Sequence, residues 1–156
     1  MSEPEEDDSE RLVRNLNELL QELRVAQAGV QILFAFLLAV AFTEVFRDAS
    51  AFQRVLHLVT VMLATGAAAL LIAPAAWHRL LFRSGRREQI IGVANRFATA
   101  GLALLAAAMT GAVVLVADVV LSGPWAVLLG AVSGVFYGVL WFAWPLRIRS
   151  ARGRRR

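Results

Sequence analysis

The fold of this chain is decided by residues 97–145, which read FATAGLALLAAAMTGAVVLVADVVLSGPWAVLLGAVSGVFYGVLWFAWP. The two apolar runs in it, 97–121 and 125–145, are each close to the ~20 residues that an α-helix needs to cross a bilayer core. Only residues 122–124, Ser-Gly-Pro, separate the runs, and this composition is typical of a tight turn. We therefore predict two antiparallel transmembrane helices, the second of which ends at Pro145.

Two similar apolar runs precede this hairpin, at about 26–46 and 55–77. The chain of 156 residues is 58% hydrophobic and has a mean hydropathy of +0.61. It is too apolar for a water-soluble domain of this size, whose surface must be largely polar. We predict an all-α fold, a four-helix transmembrane bundle that occupies residues 26–146.

The segments outside the bundle differ in character. Residues 1–8, MSEPEEDD, are acidic and include a proline, so we expect a disordered tail. Residues 9–25 predict an amphipathic helix that lies on the cytoplasmic interface, packs under the bundle or holds a partner's helix. Residues 147–156 form a basic tail. The leucines of the amphipathic helix recur at spacings of three and four and are Leu12, Leu16, Leu19, Leu20 and Leu23.

The basic residues predict the orientation of the spans. All sixteen are arginine. With four spans, the N-terminal segment, the second loop with its flanks and the tail share one side, and they carry fourteen arginines. The first loop carries the other two, Arg47 and Arg54. The positive-inside rule therefore predicts that both termini are cytoplasmic.

The composition also excludes several classes of function. The chain has no cysteine, which removes disulfides, thiolate metal sites and thiol catalysis. Its pI of about 11.2 would suggest nucleic acid in a soluble protein, but the arginines lie at helix ends, where insertion requires them. No nucleophile, base and orienting group occur together in a recognisable spacing. We expect no enzymatic activity, no cofactor and no bound nucleic acid.

A few ionisable residues lie within or beside the predicted spans, and such residues are functional candidates. Glu44, His57 and Asp118 all fall near the predicted outer ends, where they could form a polar cluster with Arg47 and Arg54. One interpretation is the site of a small cation or proton transporter. The other is a set of interfacial groups that reach water or pair in a cap of the hairpins. A coupled carrier normally holds its carboxylate near the midplane, which favours the second interpretation.

The fourth run carries small residues at four-residue intervals: Ala126, Gly130, Gly134 and Gly138. A face of this kind lets another helix backbone approach closely. We predict that it packs within the chain, against Ala103, Ala107 and Gly111 of the third run, or that it forms the seam of a homodimer.

The segments LNELLQELRVAQAGVQILFAFLLAVAF, residues 16–42, and APAAWHRLLFR, residues 73–83, resemble a family of small actinobacterial four-span membrane proteins of unknown function. Some relatives carry an automatic label of sodium:proton antiporter. The likeness covers most of residues 15–121. It implies a plasma-membrane location and no established activity or site residue.

Our leading hypothesis is a non-enzymatic, multi-pass plasma-membrane protein with a structural or accessory role. We expect it to meet membrane lipid, with anionic headgroups at the inner face, and to have a partner membrane protein or a second copy of itself. The alternative is a small cation or proton transporter similar to a sodium:proton antiporter.

Overall fold

The computed structural model describes residues 3–81, 87–121 and 123–153, and all its regular structure is helical. No strand occurs within these ranges. The α-helices are α1 (Glu3–Ala41), α2 (Glu44–Arg47), α3 (Ala51–Leu81), α4 (Arg87–Val120), α5 (Pro124–Gly138) and α6 (Trp144–Gly153), with a π-helical segment, Val139–Ala143, between the last two.

Four of these helical stretches are long and apolar enough to cross a membrane, which confirms the predicted all-α fold with four spans. The first two spans are connected by α2, and the last two by a turn in which Gly123 has a φ of 70°. Glycine is favoured there because this left-handed conformation crowds a Cβ. The spans are Leu23–Ala41, Ala51–Trp77, Gly92–Val120 and Pro124–Ile148.

Helix α1 begins and ends earlier than the sequence suggested. It starts at Glu3, inside the segment that we expected to be disordered, and Pro4 lies in its first turn, where a missing N–H breaks no hydrogen bond. The helix stops at Ala41 rather than continuing to residue 46. Thr43 causes the stop: its backbone is extended, with φ −80° and ψ 153°, and its hydroxyl donates to the Val40 carbonyl at 2.7 Å.

The last span does not end at Pro145, contrary to our prediction. Its helix passes through the π-helical segment and continues as α6 to Gly153. The proline ring of Pro145 would clash with the carbonyl four residues earlier in a regular α-helix. The wider turn relieves this clash, because Trp144 N–H donates to the carbonyl of Val139, five residues earlier.

The described buried residues recur every three or four positions in α3 and along most of α4, and every seven positions in α1. This period is the one that lets helices pack side by side with a small crossing angle. The buried stripes are Leu23, Val30 and Leu37 in α1; His57, Thr60, Ala64, Ala67 and Leu71 in α3; and Ala94, Ala98, Gly101, Leu105 and Ala108 in α4.

Helix α4 is central, since it contacts α1, α3 and α5, and its most extensive interface is with α3. Helix α1 also packs on α3. Helix α5 differs from the other three, because only Ala126 and Gly130 are buried in it and its large apolar side chains are mostly exposed. Exposure of this kind is expected where the neighbour is lipid rather than water.

Parts of two predictions fall outside the described residues. The side chains of most residues from 9 to 22 are not among those described, so the amphipathic face of α1 stays a prediction. The same holds for residues 154–156 of the basic tail.

Candidate functional site at the loop end of the spans

The candidate site lies at one end of the spans, which we call the loop end: residues 42–50, with the adjoining ends of α3 and α4. Thr43 shapes its first part. The Thr43 hydroxyl accepts a hydrogen bond from the Phe46 backbone at 3.4 Å, and in this way caps the short helix α2.

Ser50 and Gln53 start α3 with a reciprocal capping box. The Ser50 N–H donates to Gln53 Oε1 at 2.9 Å, and the Gln53 N–H donates to Ser50 Oγ at 3.2 Å. This pair satisfies two backbone donors that a helix start would otherwise leave without partners. The sequence signal, Ser-x-x-Gln before an apolar run, was present, and our reading of the residues missed it.

Gln53 also joins α3 to α4. Its Nε2 donates to Asp118 Oδ2 at 2.9 Å, which places the half-buried Asp118 carboxylate beside the start of α3. One glutamine side chain therefore completes a helix cap with its oxygen and holds the carboxylate of another span with its nitrogen. Such a link fixes where the two helix ends lie relative to each other.

A hydrogen bond from a side chain to a backbone carbonyl links the two arginines at the loop end. Arg54 Nη2 donates to the carbonyl of Arg47 at 2.9 Å, and both side chains are exposed. Glu44 is exposed too and lies in the first turn of α2, outside the first span. Glu44 and Arg47 therefore belong to the loop, and Arg54 lies in the first turn of α3, at the very start of the second span.

His57 occupies a different environment from the loop residues. It is 6% exposed, as the last member of the buried stripe of α3 toward the loop end, and its ring lies 4.6 Å from the ring of Phe46, centre to centre. Its Nδ1 is buried without a hydrogen-bond partner. The described contact of the imidazole is thus the packing of its ring against Phe46.

The residues of the predicted polar cluster thus make separate local contacts. Asp118 is held by Gln53, His57 packs on Phe46, Arg54 binds the Arg47 carbonyl, and Glu44 faces solvent from α2. Within the described ranges, no group of three or more His, Asp or Glu side chains is placed to hold a metal ion. The chemistry that this arrangement supports is hydrogen bonding and charge recognition.

A pocket of about 510 Å³ opens at the loop end, between α1, the loop and α4. Its volume lies in the range of small-molecule sites. Apolar side chains line most of it, and polar ones stand at the loop. The lining residues used below are Phe36, Leu37, Leu115, Val116, Thr43, Asp48, Ala49, Gln53 and Asp118.

The predicted small face of α5 packs against α4 over part of its length. A Cβ added at Gly130 would overlap the Val114 side chain, and one at Gly134 would lie 3.6 Å from Thr110 Cγ2. At Gly138 it would meet nothing within 4 Å. The partners on α4 are therefore Val114 and Thr110 rather than the small residues we had paired with this face.

Helix α3 is the one that approaches the small residues of α4 closely. A Cβ at Gly111 would overlap the hydroxyl of Thr60, and one at Gly101 would lie 2.9 Å from Leu71 Cγ. On α3, a Cβ at Gly66 would lie 3.0 Å from Leu104 Cδ1. This interface was missed because its glycines do not form a G-x-x-x-G run. The signal available was the spacing of small residues along α4.

At the opposite end of the spans, a hydrogen bond links α1 to α3. Gln27 Nε2 donates to the Leu71 carbonyl at 2.8 Å. This carbonyl lies one residue after that of Leu70, the acceptor that Pro74 deprives of its usual backbone donor. The Gln27 side chain therefore adds a donor to the turn of α3 that the proline has weakened.

The fold and the loop end define a class: a small helical membrane protein with four apolar spans, whose described carboxylates and arginines lie near the span ends. The chain belongs to a family of unknown function, DUF6328, which matches residues 5–145. Comparison with curated proteins and with solved structures gives no match.

Proposed function

We propose that the protein is a non-enzymatic, multi-pass plasma-membrane protein with a structural or accessory role. This proposal rests on the hydrogen bonds that the polar side chains make at the loop end. Gln53 and Asp118 tie α3 to α4, and Arg54 binds the carbonyl of Arg47. These groups hold helix ends together, as parts of a scaffold do.

The interior of the spans supports the same proposal. Residues 25–43, 58–77, 97–117 and 125–146 contain no acidic residue, no arginine and no histidine. Near the middle of the second and third spans, Ala64 and Ala108 form a buried apolar cluster with Leu37 of the first. An ion-coupled carrier needs a binding group near the midplane, where access can alternate between the two sides.

A flux measurement tests the proposal against the transporter alternative. The protein is reconstituted in liposomes that contain a pH-sensitive dye, and a sodium or potassium gradient is applied. We expect proton movement no faster than in liposomes without protein. Robust cation-dependent flux that Asp118→Asn or Glu44→Gln abolishes, while the variant still inserts and folds, would establish the transporter instead.

We further propose that both termini face the cytoplasm and that the loop end faces outward. The distribution of arginines supports this orientation, and the resemblance to small actinobacterial membrane proteins supports the plasma membrane. The native chain has no cysteine, so a single introduced one reports cleanly. In intact cells, an impermeant maleimide should label Ala51→Cys and leave Glu18→Cys unlabelled, and the reverse pattern would invert the topology.

The proposed partners are membrane lipid and either a second copy or another membrane protein. Arg24, Arg96 and Arg147 are exposed at the end opposite the loop end, where they suit anionic headgroups. The protein is kept in residual detergent and mixed with vesicles. We expect more of it to sediment with vesicles that contain phosphatidylglycerol than with neutral vesicles. The preference should be lost when the three arginines become glutamine. An unchanged preference would argue against these contacts.

A further inference from the structure

We propose that the pocket at the loop end is a binding site for an amphiphilic organic cation, a molecule with an apolar body and one positive charge. This site goes beyond the accessory role proposed above, and it requires no transport.

The apolar part of the pocket suits a hydrocarbon body that arrives from the membrane. Leu37 and Leu115 form its inner wall and are almost fully buried. Phe36 and Val116 line it as well and are about half exposed, at 51% and 49%, so the pocket opens sideways toward lipid. An apolar molecule can therefore enter from the bilayer without crossing the polar loop.

The polar part of the pocket selects the sign of the charge. Asp48 and Asp118 both line it, together with the uncharged Thr43 and Gln53, and no basic side chain is among the described residues of the lining. Two carboxylates beside an apolar wall repel an anionic headgroup and attract an ammonium or phosphonium group. Charge complementarity thus points to one class of occupant.

The pocket lies toward the loop end of α4, since its described lining on that helix falls between residues 112 and 120. Ala108 lies ten residues from Asp118, roughly 15 Å along α4 at 1.5 Å per residue. There it is buried in a cluster with Leu37 and Ala64. Binding in the pocket needs no passage through this buried cluster, so it can be tested separately from the absence of flux proposed above.

The test compares two probes of similar shape and opposite charge, tetraphenylphosphonium and tetraphenylborate. The full-length protein is placed in phosphatidylcholine nanodiscs, and probe bound to empty nanodiscs is subtracted, because both ions partition into lipid. We expect saturable binding of the phosphonium and none of the borate. Equal binding of the two, or no saturable binding of the cation, overturns the proposal.

Two pairs of variants locate the site. Asp48→Asn should weaken phosphonium binding about fivefold, as expected for loss of one charge near water, whereas Glu44→Gln, which removes an acid outside the lining, should leave it unchanged. Ala49→Trp should fill the pocket and abolish binding, whereas Ala51→Trp, at an exposed position outside the lining, should not. Binding that neither Asp48→Asn nor Ala49→Trp reduces lies elsewhere and refutes the site.

The same cation chemistry occurs in membrane lipids with an amine head and in soluble compounds, and competition separates these sources. Stearylamine is added to the nanodisc lipid, and bound phosphonium is measured again. Displacement of at least half of the probe at a few per cent stearylamine would assign the site to a lipid-borne amine. Retention of the probe would assign it to a soluble cation.

Discussion

Helix α4 has two interfaces that can be compared directly, one with α3 and one with α5. Toward α3, small residues recur along the whole helix, and Gly101 and Gly111 receive the side chains of Leu71 and Thr60. Toward α5, close approach occurs at Gly130, relaxes to ordinary contact at Gly134 and is absent at Gly138. Close contact along this face of α5 therefore decreases from Gly130 to Gly138.

The difference shows that a conspicuous motif does not mark the closest interface. Helix α5 contains the regular four-residue repeat of glycine, but a Cβ at its last member, Gly138, would meet no atom within 4 Å. The α3–α4 interface uses an irregular mixture of alanine and glycine at three- and four-residue spacing, together with fitting side chains. In lipid, association depends on packing of this kind rather than on hydrophobicity.

The largest expected effect is at Gly111. In Gly111→Ala the new methyl group would overlap the Thr60 hydroxyl and lie 3.4 Å from both Cβ and Cγ2 of Thr60. Threonine is stiff at χ1 and cannot move aside easily. We expect destabilisation of about 1–3 kcal/mol, in the range of overpacked cores. The measurement is unfolding in mixed micelles as denaturing detergent is added.

Gly138→Ala is the matched control for that variant. The added Cβ has open space, and alanine favours a helix over glycine by about 0.5–1 kcal/mol. The control should be neutral or slightly stabilising. Equal destabilisation by both variants would mean that α4 does not approach α3 more closely than α5 approaches its own neighbours.

A smaller effect is expected at Gly130. The Cβ of Gly130→Ala would overlap Val114 Cγ2, but Val114 Cβ is 3.8 Å away, so rotation of one side chain gives partial relief. We expect a loss of about 1 kcal/mol, at the low end for overpacking. Because α5 is the outermost span of this interface, the loss should appear as easier protease cleavage near the turn before α5.

Gly134→Ala is the control for Gly130→Ala. Its Cβ would make an ordinary contact with Thr110 Cγ2 at 3.6 Å, so we expect unchanged or slower cleavage. If instead Gly134→Ala loosened α5 as much as Gly130→Ala, then the two helices would run closer together than described.

The hydrogen bond from Gln27 to the Leu71 carbonyl extends the comparison to α1. Gln27→Leu removes the donor and keeps a side chain of similar size. We expect a cost of about 0.6 kcal/mol, the average for hydrogen bonds between spans. Gln31→Leu, at an exposed position of the same helix, is the control. The two should differ in the detergent-unfolding assay, and equal stabilities would show that the bond contributes nothing.

The smallest effect is expected at His57. Replacing it by Phe removes a buried Nδ1 that has no partner and keeps a ring against Phe46. Stability should be unchanged or slightly raised, because an unsatisfied buried polar group is costly. A clear loss of stability in the same assay would indicate that the imidazole makes a polar contact within the folded protein.

The spans were predictable because length and hydropathy are properties of the local sequence. Their ends were not, because each depends on particular hydrogen bonds. Thr43 ends α1 with its hydroxyl, a local competition between side chain and helix backbone. At Pro145 the helix continues because a π-helical turn widens the backbone. We had predicted a helix end there because proline usually ends a helix.

The candidate site was predictable only by residue type. Asp118 and His57 are rare ionisable residues in apolar runs, so the sequence drew attention to them. Their surroundings depend on how α2 and the loop return the chain to α3. Gln53, an uncharged residue, contacts Asp118 because the capping box turns its side chain toward α4.

The length of α1 has a mechanical consequence. At 1.5 Å per residue its 39 residues span about 58 Å, almost twice the ~30 Å of a bilayer core. The part before Leu23 therefore extends beyond the first span as a continuation of the same helical rod. A tilt of the first span by about 10° would swing the tip of this lever by roughly 5 Å, given the length by which the rod exceeds the core. A partner that binds the N-terminal end of α1 can therefore respond to the tilt of the first span, or change that tilt, from outside the bilayer.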